Sequence, residues 1–154
     1  MDLCVGTYMC IIDPPEASRR RELYGKAGAF RPKSYGVEYR TPSNSWLTTP
    51  ERHQTIYTLT AMAVYLLQNG ITLEKMMLNE VDVQKAIDTG DYEICFTLLS
   101  VALRYGDYGG TRALVAQEYD KRVGKVSKAN EKSKKKTQES VLDEVLPRFN
   151  RGLV

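Results

Sequence analysis

The chain has 154 residues and a mass of 17.5 kDa, with 42% hydrophobic and 27% charged residues. This composition and a mean hydropathy of −0.40 exclude a fully disordered chain, a collagen and a membrane bundle, and the length suits one domain. The formal net charge is only +3, but residues 121–136 contain eight basic residues and one acidic residue. Any affinity for polyanions is therefore predicted to lie in this segment and not in the rest of the chain.

The cysteines and the longest uncharged stretch indicate the compartment. Cys4, Cys10 and Cys95 form no CxxC pair, so a disulfide framework and a zinc site are disfavoured and a reducing, cytoplasmic location is expected. The apolar run that ends at Ile12 is short and has no basic lead, so no signal peptide is expected. Residues 53–73 carry no charge, but their apolar centre is shorter than the roughly 20 residues that a spanning helix needs. A buried soluble helix is predicted there.

Residues 1–48 are rich in glycine, proline and aromatic residues and are predicted to form the β portion. Residues 5–12 suit either a strand or the end of a helix, and the following proline pair ends that element. Residues 27–31 and 35–40 are predicted to be two strands joined around residues 32–34. In the second strand, alternation places Glu38 and Arg40 on one face.

Residues 49–123 are predicted to be helical. Thr49 is a predicted N-cap, Pro50 occupies the first helical position, and Gly70 can end this helix. A second helix is predicted over 73–87, with an interruption near Asn79 and an end at Gly90. Asp91 is the predicted cap of a third helix that stops at Gly106, and a fourth helix is predicted over 111–123.

Residues 124–139 are predicted to be a basic linker, because this stretch has almost no large apolar residue to bury. Residues 140–154 are predicted to be a short terminal helix that ends at Pro147, followed by a tail. The lysines of this stretch favour either a solvated linker or frayed helix, or contact with nucleic acid through its phosphates. No aromatic residue interleaves with Lys132 and Lys134–136, which argues against binding to single strands.

The densest set of chemically useful residues spans 19–31 and 35–46, where cations, glycines and one acid are combined. Glu38 and Arg40 are expected about 7 Å apart on one strand face. A carboxylate there can bind Mg²⁺, and a neighbouring guanidinium can bind a phosphoryl or carboxylate group in a bidentate way. The alternative is that both belong to a solvated strand face, and that Arg19, Arg20 and Arg21 form a solvated basic turn.

The run RRELYGKAGAFR followed by YGVEYRTPSNSW closely resembles the carboxylate–amine (COOH-NH2) ligase type 2 family of tailed bacteriophages. That family is related to glutamate–cysteine ligase and, more remotely, to glutamine synthetase. The resemblance is strong over about residues 1 to 50. It implies an α+β fold, with a partial glutamine synthetase-like antiparallel sheet near the N-terminus and a helical portion after it. Residues 1–123 would then be the C-terminal part of a ligase-like catalytic domain.

The resemblance also implies an activity and a site. The activity is ATP-dependent ligation, in which a carboxylate is phosphorylated and an amine attacks the acyl phosphate to form an amide. Glu38 resembles the metal-binding glutamate, with Mg²⁺ as its ion. Arg31 and Arg40 resemble catalytic arginines, and Arg20, Arg21 and Arg31 resemble residues that face the nucleotide phosphates. The expected substrates are amino acids or peptides in the host cytoplasm, with no membrane partner.

One departure from the family leaves three hypotheses open. Family members carry earlier strands with further acidic ligands and a segment like Gly-His-x-His, whereas the only histidine here is His53, at the start of a predicted helix. The chain is therefore expected to be a ligase that is active alone, or one that needs a complementing N-terminal chain or a homo-oligomer. The third hypothesis is a noncatalytic binding or virion-assembly protein whose basic tail contacts nucleic acid.

Overall fold

The computed structural model describes residues 1–106 and 109–149, with their side chains except those of Ser18 and 134–149. The described chain is mainly helical with one two-stranded antiparallel sheet, which confirms the predicted α+β class. It divides into two compact units, Met1–Tyr119 and a second unit that begins at Asp120. Residues 150–154 of the predicted tail lie outside the described residues.

The elements follow one another in a simple order. The strands are β1 (Phe30–Lys33) and β2 (Gly36–Tyr39), and the helices are α1 (Thr7–Ile12), α2 (Ala17–Leu23), α3 (Pro50–Gln68), α4 (Glu80–Thr89), α5 (Tyr92–Ala102) and α6 (Thr111–Phe149). A π-helix, Asp2–Gly6, leads directly into α1, and a 3₁₀ helix, Asn44–Thr48, precedes α3. None of the helices in the described part of the chain is long and apolar enough for a bilayer crossing.

The N-terminal helix occupies the centre of the first unit. Every residue from Leu3 to Ile12 is buried, and the segment packs against α3, α4 and α5. A helix that is covered on all sides needs no polar face, so its sequence shows no helical periodicity. This is why residues 5–12 suited a strand as well as a helix. Within residues 1–48, where the sequence predicted the β portion, β1 and β2 are strands while Asp2–Ile12 and α2 are helices.

Four further helices contribute apolar side chains to the core of the first unit. These residues are Leu59, Met62 and Leu66 of α3, Val83 and Ile87 of α4, Leu98 and Leu99 of α5, and Val115 of α6. α3 is therefore buried along one side only, whereas its uncharged sequence predicted a buried helix. The core that these helices form is the support on which the sheet rests.

Local signals place several helix ends as predicted, although α5 ends at Ala102 and not at the predicted Gly106. The Thr49 side chain accepts a hydrogen bond from the Arg52 N–H at the start of α3, and the Asp91 side chain accepts one from the Ile94 N–H at the start of α5. The interruption predicted near Asn79 is the N-cap of α4, so the helix predicted over 73–87 is shortened to Glu80–Thr89. Gly90 ends α4 with a φ of 70°, which glycine adopts without strain.

The last helix differs from its sequence-based prediction. α6 is continuous from Thr111 to Phe149 and passes through 124–139, where a linker was predicted, and through Pro147. Residues 125–146 contain neither glycine nor proline and are rich in lysine, glutamate and other good helix formers. A shortage of apolar residues argues against a packed core but not against a helix. The domain boundaries at 123/124 and 139/140 stay predictions.

Candidate functional site

The predicted site residues Arg31, Glu38 and Arg40 meet on one face of the β1–β2 hairpin. The antiparallel register pairs Arg31 with Glu38 directly across the two strands. Arg31 donates to Glu38 Oε2 from Nε at 3.0 Å and from Nη2 at 2.5 Å. On the same carboxylate, Lys33 Nζ lies 3.5 Å from Oε2 and Arg40 Nε lies 3.6 Å from Oε1. We call these four residues the hairpin cluster.

The hairpin cluster is open to solvent and strongly cationic. Its side chains are between 30% and 51% exposed, so a ligand can reach them. The hydrogen bond from Arg31, together with the charges of Arg31 and Lys33, holds the pKa of the Glu38 carboxyl below its ordinary value. Because three cations surround one carboxylate, the cluster attracts anions, and guanidinium groups bind phosphate or carboxylate oxygens well.

Arg20 lies beside the hairpin cluster but is already engaged. Two guanidinium groups lie over the Tyr24 ring, with Arg20 Cζ at 4.9 Å and Arg40 Cζ at 5.4 Å from its centroid. Arg20 also donates to the backbone carbonyls of Arg40, Thr41 and Pro42 at 2.6 to 2.7 Å. Its nitrogens therefore position the segment that follows β2. The predicted contact of Arg20 with nucleotide phosphates stays a prediction.

Arg21 lies in the interior, although the sequence grouped it with Arg20. Its Nη2 donates to Asp13 Oδ2 at 2.8 Å, and both side chains are almost fully buried. The Ser43 hydroxyl donates to the other oxygen of the same carboxylate. In this arrangement Arg21 connects α2 to the segment before it, so its role here is structural. The predicted contact of Arg21 with nucleotide phosphates stays a prediction, and the buried pair does not present this guanidinium to solvent.

Hydrogen bonds fix both flanks of the hairpin, and two of them reach helical residues. The Tyr39 hydroxyl donates to the Asp2 carboxylate, and burial raises the pKa of that hydroxyl. The Ala27 N–H donates to Asp88 Oδ1 at 2.8 Å, and Thr41 Oγ1 donates to the Lys26 carbonyl at 2.6 Å. These bonds hold both ends of a hairpin that would be only marginally stable in isolation. The hairpin cluster is thereby held on a fixed support.

The hairpin cluster does not suit a resident Mg²⁺ ion. Mg²⁺ is held by carboxylates and phosphate oxygens, whereas Glu38 offers one carboxylate that three cations already surround. Among the residues that the structure describes, no group of three or more His, Cys, Asp or Glu side chains could hold a metal. His53 packs edge-on against Trp46 at 5.4 Å between ring centroids. The role of Glu38 as a metal ligand stays a prediction that needs donors beyond the hairpin cluster.

Lys33 belongs to the site, although the sequence pattern did not indicate it. The pattern placed residue 33 in the turn, but the turn is formed by Ser34 and Tyr35, and β1 extends to Lys33. The alternation of strand side chains puts Lys33 on the face of Arg31, two residues earlier. That spacing was the available signal. The proline at position 32 concealed it, because the strand was predicted to end at residue 31 and residues 32–34 to form the connection.

Comparison with known proteins identifies a family but no close relative. The family model for phage phiEco32-like COOH.NH2 ligase-type 2 matches residues 1–104 of the 154-residue chain. No curated protein and no solved structure matches the chain. The matched region contains the whole hairpin cluster and the elements that support it.

Proposed function

Because the chain belongs to the phage phiEco32-like COOH.NH2 ligase-type 2 family, we propose that it takes part in ATP-dependent carboxylate–amine ligation in the host cytoplasm. In this reaction a carboxylate oxygen attacks the γ-phosphorus of ATP and releases ADP. The amine then attacks the acyl carbon, an amide bond forms and phosphate leaves. Each step moves negative charge between phosphoryl and carboxylate groups, so catalysis rests on positioned cations.

The observation that supports this proposal is the convergence of three cations on one exposed hairpin face. Arg31 approaches Glu38 from β1, Arg40 approaches it from the position that follows β2, and Lys33 completes the set. In the proposed function these cations bind the transferring phosphoryl group or the substrate carboxylate, and Glu38 holds their side chains in place until the anion arrives. Arg20 and Arg21 position the segments on either side. Amino acids or peptides are the proposed substrates.

We further propose that a second polypeptide completes this site. It would be either a complementing N-terminal chain or a second copy of this chain. The face of the hairpin opposite the cluster exposes Phe30 and Val37, which are 62% and 69% accessible. The core covers this face at Tyr39, and the apolar surface left open at Phe30 and Val37 is stabilised when further strands or another chain cover it. The carboxylates that Mg²⁺ would require beyond Glu38 would also come from this added part.

The test begins with ATP binding, which does not require a complete active site. Titration calorimetry should show that Arg31→Gln and Arg40→Gln each weaken ATP binding several-fold. The matched control is Lys75→Gln, which removes one exposed cation outside the hairpin and should leave ATP binding unchanged. ATP binding that is equal in all four proteins would overturn the assignment of the hairpin cluster.

ADP release then tests the ligase activity itself. The chain is incubated with ATP, Mg²⁺ and a pool of amino acids, first alone and then with candidate complementing chains. ADP release that depends on an added amino acid, and that Arg31→Gln removes, supports the proposal. If ADP appears only after a second chain is added, the site is completed in trans. Absence of amino-acid-dependent ADP release in every mixture would contradict ligation.

A further inference from the structure

One side of α6 carries a row of lysines that the proposed ligase site does not use. Lys121, Lys125, Lys128 and Lys132 follow one another at intervals of four, three and four residues. With 3.6 residues per turn, these positions fall within an arc of about 60° and span about 17 Å along the helix. We call them the lysine stripe. A linker would not have fixed these side chains in a row, but a continuous helix does.

The lysine stripe is exposed and is separated from the acidic residues of the same segment. All four lysines are solvent-exposed. Asp120 and Glu131 lie about 90° or more around the helix from the centre of the stripe. Over residues 120–133 this helix face therefore carries lysines and no acidic residue, and the sequence continues with Lys134, Lys135 and Lys136.

We propose that the lysine stripe binds double-stranded nucleic acid through its phosphate backbone, without reading the base sequence. A duplex carries one negative charge per roughly 1.7 Å, so the stripe lies alongside about ten phosphate charges. Lysine acts as a point charge toward phosphate and releases condensed counterions when it binds. The stripe contains neither arginine for bidentate contacts to bases nor aromatic residues for stacking, so backbone contact to a duplex is the expected mode.

Two other polyanionic partners fit the lysine stripe less well. Helices that lie on anionic membranes bury a broad apolar face, whereas residues 120–133 contain only Val123 and Val126 as large apolar residues. Protein interfaces favour aromatic residues and arginine and are depleted in lysine. The nucleic acid duplex is therefore the partner that these residues favour, and the other two polyanions become outcomes of the test.

The experiment compares two variants of the full chain that lose the same charge. One variant carries Lys125→Gln, Lys128→Gln and Lys132→Gln in the stripe. The matched control carries Lys26→Gln, Lys75→Gln and Lys85→Gln, which are also exposed but lie outside α6. Binding to a fluorescent mixed-sequence DNA duplex is measured by anisotropy across salt concentrations from about 50 to 200 mM. Circular dichroism verifies that both variants keep the helical content of the parent chain.

The parent chain is expected to bind the duplex with a strong salt dependence that the control retains. The stripe variant should bind at least about tenfold more weakly at the lowest salt. Its plot of log K against log salt should also be shallower, with the magnitude of the negative slope reduced by about 2.7. Equal weakening in both variants would show a nonspecific effect of net charge and overturn the proposal. A parent chain that does not bind the duplex, or that binds phosphatidylserine vesicles or polyglutamate in preference to it, would overturn it as well.

Discussion

The Arg21 guanidinium donates to the Asp13 carboxylate at 2.8 Å in the protein interior, where the two side chains are only 5% and 2% exposed. Removing one member of a buried ion pair leaves the other charge without compensation, which costs about 3–5 kcal/mol. We therefore predict that Asp13→Asn lowers the free energy of unfolding by this amount. Urea denaturation followed by circular dichroism measures the change.

The matched control for this prediction is Glu16→Gln. This substitution also exchanges a carboxylate for an amide, but the Glu16 side chain is exposed and makes no capping hydrogen bond at the start of α2. A surface change of this kind is expected to stay within about 0.5 kcal/mol of the parent. If Asp13→Asn and Glu16→Gln gave the same small change, the buried pair would not stabilise the fold.

Gly25 is predicted to be intolerant of a side chain because Arg20 occupies the adjacent space. A Cβ at position 25 would lie 2.3 Å from Arg20 Nη1 and 2.9 Å from its Cζ. The guanidinium cannot yield freely, since three backbone carbonyls accept its hydrogen bonds. We expect Gly25→Ala to lower the free energy of unfolding by about 1–3 kcal/mol, measured in the same urea experiment.

A double-mutant cycle separates this clash from a general effect of alanine at position 25. In an Arg20→Met background, Gly25→Ala should cost clearly less, because the obstructing guanidinium is gone. Gly124→Ala provides a second comparison, since its added methyl group would meet open space within α6. That change should stabilise the helix by about 0.5–1 kcal/mol. An equal cost of Gly25→Ala in both backgrounds would contradict the proposed clash.

Local sequence signals were sufficient for most helix ends and for the face of β2. Thr49 and Asp91 cap their helices with side-chain hydrogen bonds that depend only on residues a few positions away. The alternation that placed Glu38 and Arg40 together is equally local, and their 3.6 Å contact confirms it. Signals of this kind need no knowledge of the rest of the fold.

The features that the sequence did not reveal depend on distant contacts. Residues 5–12 form a helix because other helices surround them, and an apolar run alone does not distinguish that case from a buried strand. Arg20 and Arg21 are adjacent in sequence, yet one binds carbonyls after β2 and the other pairs with Asp13. Which of two neighbouring arginines faces the interior is decided by the packing of α2.

The buried cysteines lead to a prediction about chemical reactivity. Burial raises the pKa of the Cys4 thiol to about 11, and a hydrogen bond with Cys10 together with burial raises the pKa of Cys95. All three cysteines are buried and free. Since the thiolate is the reactive form, iodoacetamide at about pH 8 should label the folded chain far more slowly than a model thiol.

Mass spectrometry measures this labelling, and the denatured chain is its control. In concentrated urea all three thiols should react at the rate of an exposed cysteine, because burial no longer suppresses ionisation. Asp13→Asn should accelerate labelling of the chain under mild denaturation, since it favours the unfolded state. Rapid modification of Cys4 or Cys95 in the stable native chain would contradict the buried, protonated state described for them.

The ionisation of Glu38 provides the last prediction and reports directly on the hairpin cluster. Its pKa lies below the ordinary glutamate value of about 4.3, and the largest cause is the hydrogen bond that Arg31 donates to the carboxylate. A carboxyl with a lowered folded-state pKa stabilises the fold above its ordinary pKa, and this contribution is lost as the pH falls through the lowered value. We expect the contribution to be small because the carboxylate faces solvent.

An NMR titration of the Glu38 side chain measures this pKa and the share of each cation. Arg31→Gln should raise the titration midpoint most, because it removes both the hydrogen bond and the nearest charge. Lys33→Gln should raise it less, because the ammonium lies 3.5 Å away, and the distant Lys75→Gln should leave it unchanged. If Arg31→Gln left the titration midpoint of Glu38 unchanged, the Arg31 and Glu38 side chains would not pair in solution. The anion site proposed for the hairpin would then lose its organising carboxylate.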